Sequence, residues 1–550
     1  MISRLLIRNF RSIEHCDLSL RNLNAFVGEN NAGKTNILRA LKTVLGGSYV
    51  SDRSFSVEDY HCHDTEKDIE ISLFFDPPLT YQKYGQTYEI PQLQYLVTSY
   101  KRNTSKAKKG DVRFVQQCLG SDGELITVLS EAPKAGKKNE YEKLATIPAE
   151  IRDQLPVIYI GTDRSLEDQL PSKSTSVLFK LFLDVDKAIK TTEFEPDTNE
   201  PKRSHHDIFL ERLAEALNAL KVKEFTDLEE LLRTKALENL GLDPSDPNND
   251  LKFEFSLFNS LDFLKAIELS FRERGKLISA DCMGDGTKNA LILALFQAYE
   301  ATKKQGAIFL IEEPEIFLHP HRRRHFYKTL KNISVNNQVL YTTHSPEFVD
   351  VADYQNLHLV CKSPNGQTYT RRTNSKRTEK EIEDLRSKID VKRSEIFFAN
   401  HVYLVEGDTE ELALPEYAKR LGIDLDSIGH TIVNVRGKPS ILSFAEILFS
   451  FGIPFSIMFD TDPTKTAKDN LELNDKLRNL ADANVTVTEM NPDFEGVVSR
   501  HLGQERYNDL LNKFPHTSKQ IKQRLIAIQP DVSASDEIRK FFGLEPQNVS

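Results

Sequence analysis

The sequence lacks the features that place a protein in a membrane or cross-link it covalently. No apolar run approaches the ~20 residues needed to span a bilayer, and the N-terminus has no apolar signal-peptide segment. The five cysteines are scattered without a C-x-x-C pair, which argues against a disulfide framework or a zinc site. We therefore expect a cytoplasmic protein that does not contact a membrane.

An excess of positive charge is also missing. The chain carries 72 Lys and Arg against 82 Asp and Glu, a net charge of −10. This balance argues against a passive coat on DNA, so any contact with nucleic acid must come from local basic patches or through bound metal. The length of 550 residues is enough for about two to four domains.

One glycine-rich stretch has the pattern of a phosphate-binding loop. In Gly28-Glu29-Asn30-Asn31-Ala32-Gly33-Lys34-Thr35, two glycines separated by four residues precede a lysine and a hydroxyl. Such glycines let backbone N–H groups face phosphate oxygens at the start of a helix. The pattern predicts nucleotide binding by Asn31, Gly33, Lys34 and Thr35, with Lys34 on the β- and γ-phosphates and Thr35 on Mg²⁺.

A second nucleotide-site element is an acidic pair after a buried strand. The apolar run 307–311 is typical of a parallel strand and ends in Glu312-Glu313-Pro314-Glu315. We expect Glu312 to hold Mg²⁺ and Glu313 to orient and deprotonate the attacking water. The strand 338–341 leads to His344, which would contact the γ-phosphate. The alternative for the acids is a helix N-terminus, where acidic residues are common.

The segment Met283-Gly284-Asp285-Gly286-Thr287-Lys288 resembles the signature loop of ABC and SMC-type ATPases. In those proteins the loop of one subunit closes on the nucleotide held by the other. The resemblance implies that Gly284 and Gly286 contact nucleotide, although Gly-Asp-Gly-Thr replaces a Ser-Gly-Gly-Gln core.

A second group of acids follows strands in the C-terminal third. The strand 401–405 ends in Glu406, with Glu410 in the next helix, and the strand 455–459 ends in Asp460 and Asp462. Carboxylates repel one another unless a hard cation such as Mg²⁺ or Mn²⁺ neutralises them. Two such ions ~4 Å apart can cleave a phosphodiester. We therefore predict metal binding by these four acids.

A further ligand is expected after the strand 485–488. Both Asp493 and Glu495 are candidates there, and Glu495 is the one we assign. Taken singly, each acid is more simply explained as a strand end or a helix cap, and it is the constellation that favours metal binding.

Glu-Gly followed by Asp-x-Asp at a later strand end is the Toprim pattern of topoisomerases, primases and nucleases. An SMC/ABC-like ATPase fused to such a domain resembles the OLD (overcoming lysogenization defect) family, whose relatives include the Gabija nuclease subunit and retron-associated effectors. The matching segments are Arg8-Asn9-Phe10-Arg11, the phosphate loop, Glu312-Glu313-Pro314-Glu315, Val405-Glu406-Gly407-Asp408-Thr409-Glu410 and Asp460-Thr461-Asp462.

This resemblance implies an α/β fold, an ATPase head with a helical dimerisation insertion followed by a Rossmann-like Toprim domain. It implies that the protein binds ATP and Mg²⁺, with Mn²⁺ or Ca²⁺ as alternatives in the Toprim site. It also implies that the protein cuts or nicks DNA, forms a homodimer or larger assembly, and acts in defence against phage. An accessory helicase, or a reverse transcriptase with its nucleic acid, is a possible partner. A late basic residue stabilises the scissile phosphate in the family, and Lys519 is the candidate here, with Lys522 second.

We expect five segments: an ATPase lobe over 1–165, a helical insertion over 166–250, the rest of the ATPase over 251–365, a linker over 366–398 and a Toprim nuclease domain over 399–550. The alternative function is an SMC-like DNA clamp or repair factor whose Toprim domain is a non-catalytic scaffold. Long coiled-coil arms would favour it, but no sustained heptads occur between the phosphate loop and the signature. The sequence leaves open whether ATP activates or inhibits cutting.

Overall fold

The structure is a computed structural model that describes residues 1–46, 50–51, 54–99, 112–133, 139–162, 176–194, 203–218, 306–316, 318–373, 392–463, 468–482 and 485–546, with shorter stretches between 223 and 299 and between 378 and 383. The chain forms two compact units. The first comprises Met1–Leu45, Val50–Thr162 and Gln305–Ser550, and the second comprises Gly46–Tyr49 and Asp163–Lys304. No helix in the described ranges is both long and apolar enough to cross a membrane.

The N-terminal part of the first unit is rich in strands. Its elements are β1 (Ile2–Phe10), β2 (Ile13–Ser19), β3 (Leu23–Val27), α1 (Lys34–Leu45), β4 (Ile69–Lys83), β5 (Gln86–Ser99), β6 (Val112–Leu119), β7 (Thr127–Leu129), β8 (Tyr141–Lys143), α2 (Ala149–Arg152) and β9 (Val157–Ile160). An antiparallel sheet has the order β2-β1-β4-β5-β6. Strands β1 and β2 form an antiparallel hairpin, with Leu5 and Ile7 in the core and Arg4 outside, paired with Asp17 at 2.6 Å.

The described part of the second unit contains helices and two short hairpins. Its described elements are α3 (Val177–Thr191), β10 (Glu193–Phe194), β11 (Arg203–Ser204), α4 (His205–Asn218), α5 (Ser260–Lys265), β12 (Ser270–Glu273) and β13 (Lys276–Ser279). Asp186 on α3 is buried, pairs with Lys190 at 2.7 Å and accepts a hydrogen bond from the Ser260 hydroxyl. An edge contact between the rings of Phe209 and Phe263 packs α4 on α5.

The chain then completes a parallel sheet in the first unit. The added elements are β14 (Ile308–Glu312), α6 (Pro320–Ile333), β15 (Gln338–Thr342), β16 (Leu357–Lys362) and β17 (Thr368–Arg371). The sheet order is β17-β16-β3-β15-β14-β9, parallel except at β17. Every residue of β3, β14 and β15 is buried, as expected for strands covered on both faces. The phosphate loop therefore follows a central strand.

The C-terminal part forms its own α/β layer. Its elements are β18 (His401–Val405), α7 (Asp408–Arg420), β19 (His430–Asn434), α8 (Lys438–Phe451), β20 (Phe455–Asp460), α9 (Lys468–Arg478), β21 (Val485–Met490), α10 (Phe494–Leu502), α11 (Gln504–Asn512), α12 (Lys519–Ile528) and α13 (Asp536–Phe541). Four parallel strands have the order β19-β18-β20-β21. The predicted α/β fold is confirmed, and the ends of β18 and β20 are neighbours at one edge of this sheet.

Candidate nucleotide and metal sites

The phosphate loop joins β3 to α1 with a backbone that only small residues permit. Gly28 has φ +143° and Gly33 has φ +107°. A Cβ at Gly28 would lie 2.1 Å from the Val360 carbonyl oxygen, and one at Gly33 would lie 2.2 Å from Thr368 Oγ1. The loop is thus enclosed by β16 and β17, and Asn31 (φ +64°) forms its exposed turn.

Lys34 opens helix α1 and is buried. Its Nζ donates to the carbonyl oxygens of Gly28 (2.9 Å) and Glu29 (2.6 Å), so the ammonium lies inside the curl of the loop. Burial lowers the pKa of Lys34 to about 8, against the opposing pull of Glu313 and Glu315. A polyphosphate would supply the negative charge that this buried cation lacks. Thr35, the other predicted loop ligand, is the second residue of the same helix.

The acidic pair ends strand β14, as predicted. Glu312 is buried and its Oε1 accepts a hydrogen bond from the Tyr159 hydroxyl at 2.8 Å. Burial is the main reason that the pKa of Glu312 is raised. Glu313 has a positive φ of +44°, an uncommon backbone conformation for a side-chain-bearing residue that is often found at functional sites. Its N–H donates to the carbonyl oxygen of Thr342 at 3.0 Å, which ties it to strand β15.

His344 follows β15 and lies beside the acids. Its Nε2 is 3.8 Å from Glu313 Oε1. Burial and the charge of Lys34 lower the pKa of His344. Glu315 holds this turn, because its Oε1 accepts from the His344 N–H (2.5 Å) and from Thr343 Oγ1 (2.8 Å). The structure thus brings Lys34, Glu313 and His344 together at one edge of the parallel sheet.

Three supporting residues of this site were not predicted from the sequence: Tyr159, Glu315 and Thr368. Glu315 stands in the acidic motif itself, so the third acid of Glu-Glu-Pro-Glu was a usable signal. Thr368 and Tyr159 are more than a hundred residues from their partners in the chain and carried no motif.

The signature loop belongs to the second unit. The Gly284 carbonyl accepts the N–H groups of Thr287 (2.9 Å) and Lys288 (3.1 Å), which makes a tight turn, and Met283 is buried. Gly286 lies outside the described residues. The assignment of Gly284 and Gly286 to nucleotide binding remains a prediction.

The predicted acids of the C-terminal layer do converge. Glu406 follows β18, and its Oε1 accepts the N–H of Asp460 at 2.7 Å. Asp460 Oδ1 in turn accepts the N–H of Phe494 at 3.0 Å. Glu410 is buried in the first turn of α7, where its Oε2 accepts the Gly407 N–H.

These acids raise one another's pKa values. Burial raises the pKa of Asp460 to about 8, and the charges of Glu410, Glu406 and Glu495 add to it. Burial likewise raises the pKa of Glu406 to about 7, with contributions from Glu410 and Asp462. A cluster of this kind favours either protons or a cation.

Two lysines pair with the remaining acids. Lys519 Nζ is 3.0 Å from Glu495 Oε1, and Lys438 Nζ is 3.3 Å from Asp462 Oδ2. Asp493 caps α10 by accepting the Gly496 N–H at 2.7 Å, and the charges of both Asp493 and Glu495 contribute to the raised pKa of Asp460. The assignment of Glu495 as the further ligand remains a prediction. Lys438 was not predicted. The sequence did offer a signal for it, because Lys438 lies four residues after β19, the strand next to β18.

The donor set suits a hard divalent cation, since it consists of buried and half-buried carboxylates that destabilise one another's charge. Even so, no three His, Cys, Asp or Glu side chains in the described part of the chain are grouped closely enough to hold a metal ion. Two of the carboxylates are instead paired with lysines, Asp462 with Lys438 and Glu495 with Lys519.

Comparison with known proteins agrees with this architecture. The family described as AAA ATPase domain matches residues 1–349, and the family described as overcoming lysogenization defect protein-like, TOPRIM domain matches residues 397–462. An OLD nuclease of Thermus scotoductus is 28% identical over 470 residues, covering 84% of this chain and 82% of the relative. The endonuclease GajA of Bacillus cereus is 25% identical over 453 residues, covering 78% of this chain and 71% of the relative.

Among solved structures, an SMC head domain from Thermotoga maritima covers 68% of this chain and 99% of its own length, with 14% identity and a TM-score of 0.30. That score is too low to support an inference of its own. The two family matches cover the two sites described above, with the phosphate loop in one and Glu406 and Asp460 in the other. The chain therefore belongs to the AAA ATPase domain family, and its residues 397–462 match the OLD-like Toprim domain.

Proposed function

We propose that this protein is an ATP-binding, metal-dependent endonuclease that nicks or cleaves DNA. The observation that carries the proposal is the pairing of Glu406 with Asp460 across the ends of β18 and β20, with Glu410 and Glu495 close enough to raise the Asp460 pKa. Partly buried acids that disfavour one another's ionisation do not stabilise the metal-free fold, whereas they suit the binding of divalent cations.

The Toprim residues have separate tasks in this proposal. Glu406, Glu410, Asp460, Asp462 and Glu495 would hold Mg²⁺ or Mn²⁺, with Ca²⁺ as a further possible occupant. The metal would supply an activated water and neutralise charge on the phosphate. Lys519, whose side chain is 64% exposed and paired with Glu495, is free to swing toward a scissile phosphate when Glu495 turns to the metal. Sequence preference would not arise here, because such a site contacts phosphate rather than base edges.

The ATPase residues bind and hydrolyse the nucleotide. Lys34 and the loop N–H groups would hold the phosphates, and Thr35 and Glu312 would hold the magnesium ion. Glu313 would accept the proton of the attacking water, with His344 at 3.8 Å from it sensing the γ-phosphate.

Assembly as a homodimer or larger homo-oligomer is part of the proposal. The second unit exposes large apolar side chains on α3, within α5 and just after it: Leu183, Val185, Phe263 and Ile267, each more than 40% exposed. We infer that these side chains contribute to the interface between copies, since contiguous exposed apolar surface favours protein contacts. Defence against phage, alone or with an accessory helicase or reverse transcriptase, is the biological role that the family resemblance favours.

Cleavage of supercoiled plasmid tests the proposal. The full-length protein is incubated with EDTA, Mg²⁺ or Mn²⁺, with and without ATP, and products are resolved on agarose. We expect nicked or linear DNA only with metal. Silence under every condition, also after addition of the products of neighbouring genes, would contradict the proposal and favour a non-catalytic DNA clamp.

Metal binding should depend on pH in a defined direction. Below pH 7 the carboxyls of Asp460 (pKa about 8) and Glu406 (pKa about 7) hold protons that a metal must displace. Raised pKa values also mean that ionisation destabilises the metal-free fold as pH rises toward 8. We expect Mn²⁺ in excess over the protein (about 5 mM), which stabilises the folded state by mass action, to raise Tm more at pH 8.5 than at pH 6.0. An equal rise in Tm at both pH values would contradict this expectation. So would an Asp460→Asn variant whose Tm rises with Mn²⁺ as much as that of wild type.

One short strand connects the nucleotide loop to the nuclease layer. Thr368 at the start of β17 donates from Oγ1 to the Ala32 carbonyl at 2.7 Å. Arg371 at its end donates to the carbonyl oxygens of Phe451, at 3.3 Å, and Gly452, where helix α8 ends. We infer that nucleotide-dependent movement of the loop reaches the Toprim layer through β17.

Replacing Arg371 by glutamine should uncouple the two sites. We expect cleavage without nucleotide to stay within about twofold of wild type, because Arg371 contacts neither site, while the change in cleavage rate on adding ATP falls by at least about half. Arg372→Gln is the matched control, since Arg372 bonds instead to the Ser19 carbonyl in the ATPase part. An unchanged ATP response in Arg371→Gln would show that coupling runs elsewhere.

A further inference from the structure

A buried lysine lies among the acids of the Toprim layer. Lys438 is the first residue of α8, and its side chain is only 6% exposed. Its Nζ lies 3.3 Å from Asp462 Oδ2, 3.2 Å from Asn470 Oδ1 and 3.1 Å from Asn474 Oδ1. A lysine ammonium has three N–H donors, so these three acceptors satisfy it completely.

The lysine is held firmly in this place. The Gly437 N–H donates to the Glu406 carbonyl at 2.8 Å, which fixes the start of α8 to the end of β18. On α9 the two asparagines are four residues apart and so share one helix face. Asn474, buried, also donates to the Thr461 carbonyl at 3.0 Å and thereby joins the lysine to the Asp460–Asp462 segment.

The chemistry of this cradle gives Lys438 a single charged partner. Two of the three acceptors are neutral amides, and the single carboxylate is Asp462, whose φ of +47° places it in a strained backbone conformation. A desolvated ammonium needs a charged partner, and a desolvated carboxylate needs one equally. In the absence of metal, Lys438 and Asp462 satisfy that need for each other.

We propose that Lys438 is a positioning residue and fixed counter-cation of the Toprim site, which holds Asp462 in the metal-free protein and weakens the binding of divalent cations. The inference rests on the proposed function, because it takes the carboxylates as metal ligands. A metal ion entering the cluster must pull Asp462 from Lys438 and approach a like charge that cannot leave its cradle. The result is a folded site that takes up metal reversibly instead of trapping it.

Calorimetric titration with Mn²⁺ tests the inference without requiring catalysis. Full-length wild type is compared with Lys438→Met, Lys438→Gln, Lys438→Arg and Lys476→Met, in nucleotide-free buffer at pH 7.5. Lys476 is the matched control, an exposed lysine on α9 whose replacement removes the same charge outside the cradle. Asp460→Asn identifies which part of the heat belongs to the Toprim site.

We expect Lys438→Met and Lys438→Gln to bind Mn²⁺ at least tenfold more tightly than wild type, about a 1.4 kcal/mol gain. Lys438→Arg and Lys476→Met should stay within about threefold. A purely structural lysine would give the reverse order, with Met and Gln binding more weakly and Arg restoring wild-type affinity, and that order overturns the inference. Thermal melts verify folding, and Lys438→Gln, which keeps a polar side chain in the cradle, serves if the methionine variant unfolds.

The titration separates this inference from the proposed function. The metal site itself is refuted if two results occur together: wild type binds Mn²⁺ with the same heat as Asp460→Asn, and Lys438→Met shows no gain in Mn²⁺ affinity. If wild type binds at the Toprim site and Lys438→Met binds no more tightly, only the role of Lys438 is refuted.

Discussion

Replacing Asp460 by asparagine is expected to lower metal-dependent DNA cleavage at least ~10³-fold, because it removes a charge from the centre of the proposed metal site. Four other carboxylates, those of Glu410, Glu406, Glu495 and Asp493, add to the raised pKa of Asp460. Its backbone N–H donates to Glu406 and its side chain accepts from the Phe494 N–H, which fixes its orientation. Asparagine keeps the size and can still accept from Phe494 through its carbonyl. The change therefore removes charge with little change of shape.

The same substitution should not unfold the protein. Because the pKa of Asp460 is raised to about 8, its ionised form costs stability in the metal-free fold, and a neutral amide avoids that cost. We expect the metal-free Tm of Asp460→Asn to equal or exceed that of wild type at pH 8.5. Plasmid cleavage under initial-rate conditions and a thermal melt are the two measurements.

The matched control is Asp509→Asn, an exposed acid on α11 away from the cluster. It should cleave at the wild-type rate. Cleavage by Asp460→Asn within about tenfold of wild type would place the phosphodiester chemistry at other residues or in a contaminant.

The sequence was most informative where function depends on residues at a strand end. The strands at 307–311 and 401–405 were both predicted. Each pairs in parallel with neighbours in its own sheet, which places Glu313 and Glu406 at the carboxyl edges of the two sheets. Carboxyl ends of parallel strands meet at one edge, so a motif after a buried strand already predicts which residues share a site.

The partners of those residues could not be predicted in the same way. Lys438 faces Asp462 because β19 lies beside β18 and because α9 presents two asparagines, and strand order is a property of the whole sheet. Thr368 contacts Ala32 across 336 residues of sequence. Such contacts leave no periodicity in the chain, whereas a phosphate loop depends on local backbone shape and therefore on local sequence.

Gly33 of the phosphate loop illustrates the difference between what the local sequence and what the whole fold determine. Its positive φ explains why residue 33 is a glycine in the motif, and this much follows from the sequence pattern. The structure adds that a Cβ there would also meet Ser12 Oγ at 2.8 Å and Thr368 Oγ1 at 2.2 Å. The loop is therefore enclosed by an edge hairpin that also touches the nuclease layer.

Replacing Lys34 by methionine is expected to lower ATP hydrolysis at least ~10²-fold, since it removes the one cation inside the loop that would meet the β- and γ-phosphates. The fold should persist. Lys34 is buried and its pKa is lowered to about 8 by that burial, so a neutral side chain of similar length relieves a desolvated charge. Phosphate release and nucleotide affinity are the measurements, with the exposed Lys328→Met on α6 as the charge-matched control.

The Lys34 variant also determines the sign of regulation. If nucleotide binding restrains the nuclease, Lys34→Met in the presence of ATP should cleave plasmid at the higher, nucleotide-free rate of wild type; if nucleotide binding activates it, the variant should stay at the lower rate. In both cases the variant no longer responds to ATP, because the loop that β17 would couple to the Toprim layer no longer holds a nucleotide. A Lys34→Met protein that still responds to ATP as wild type does would refute nucleotide control through this loop, whatever its hydrolysis rate.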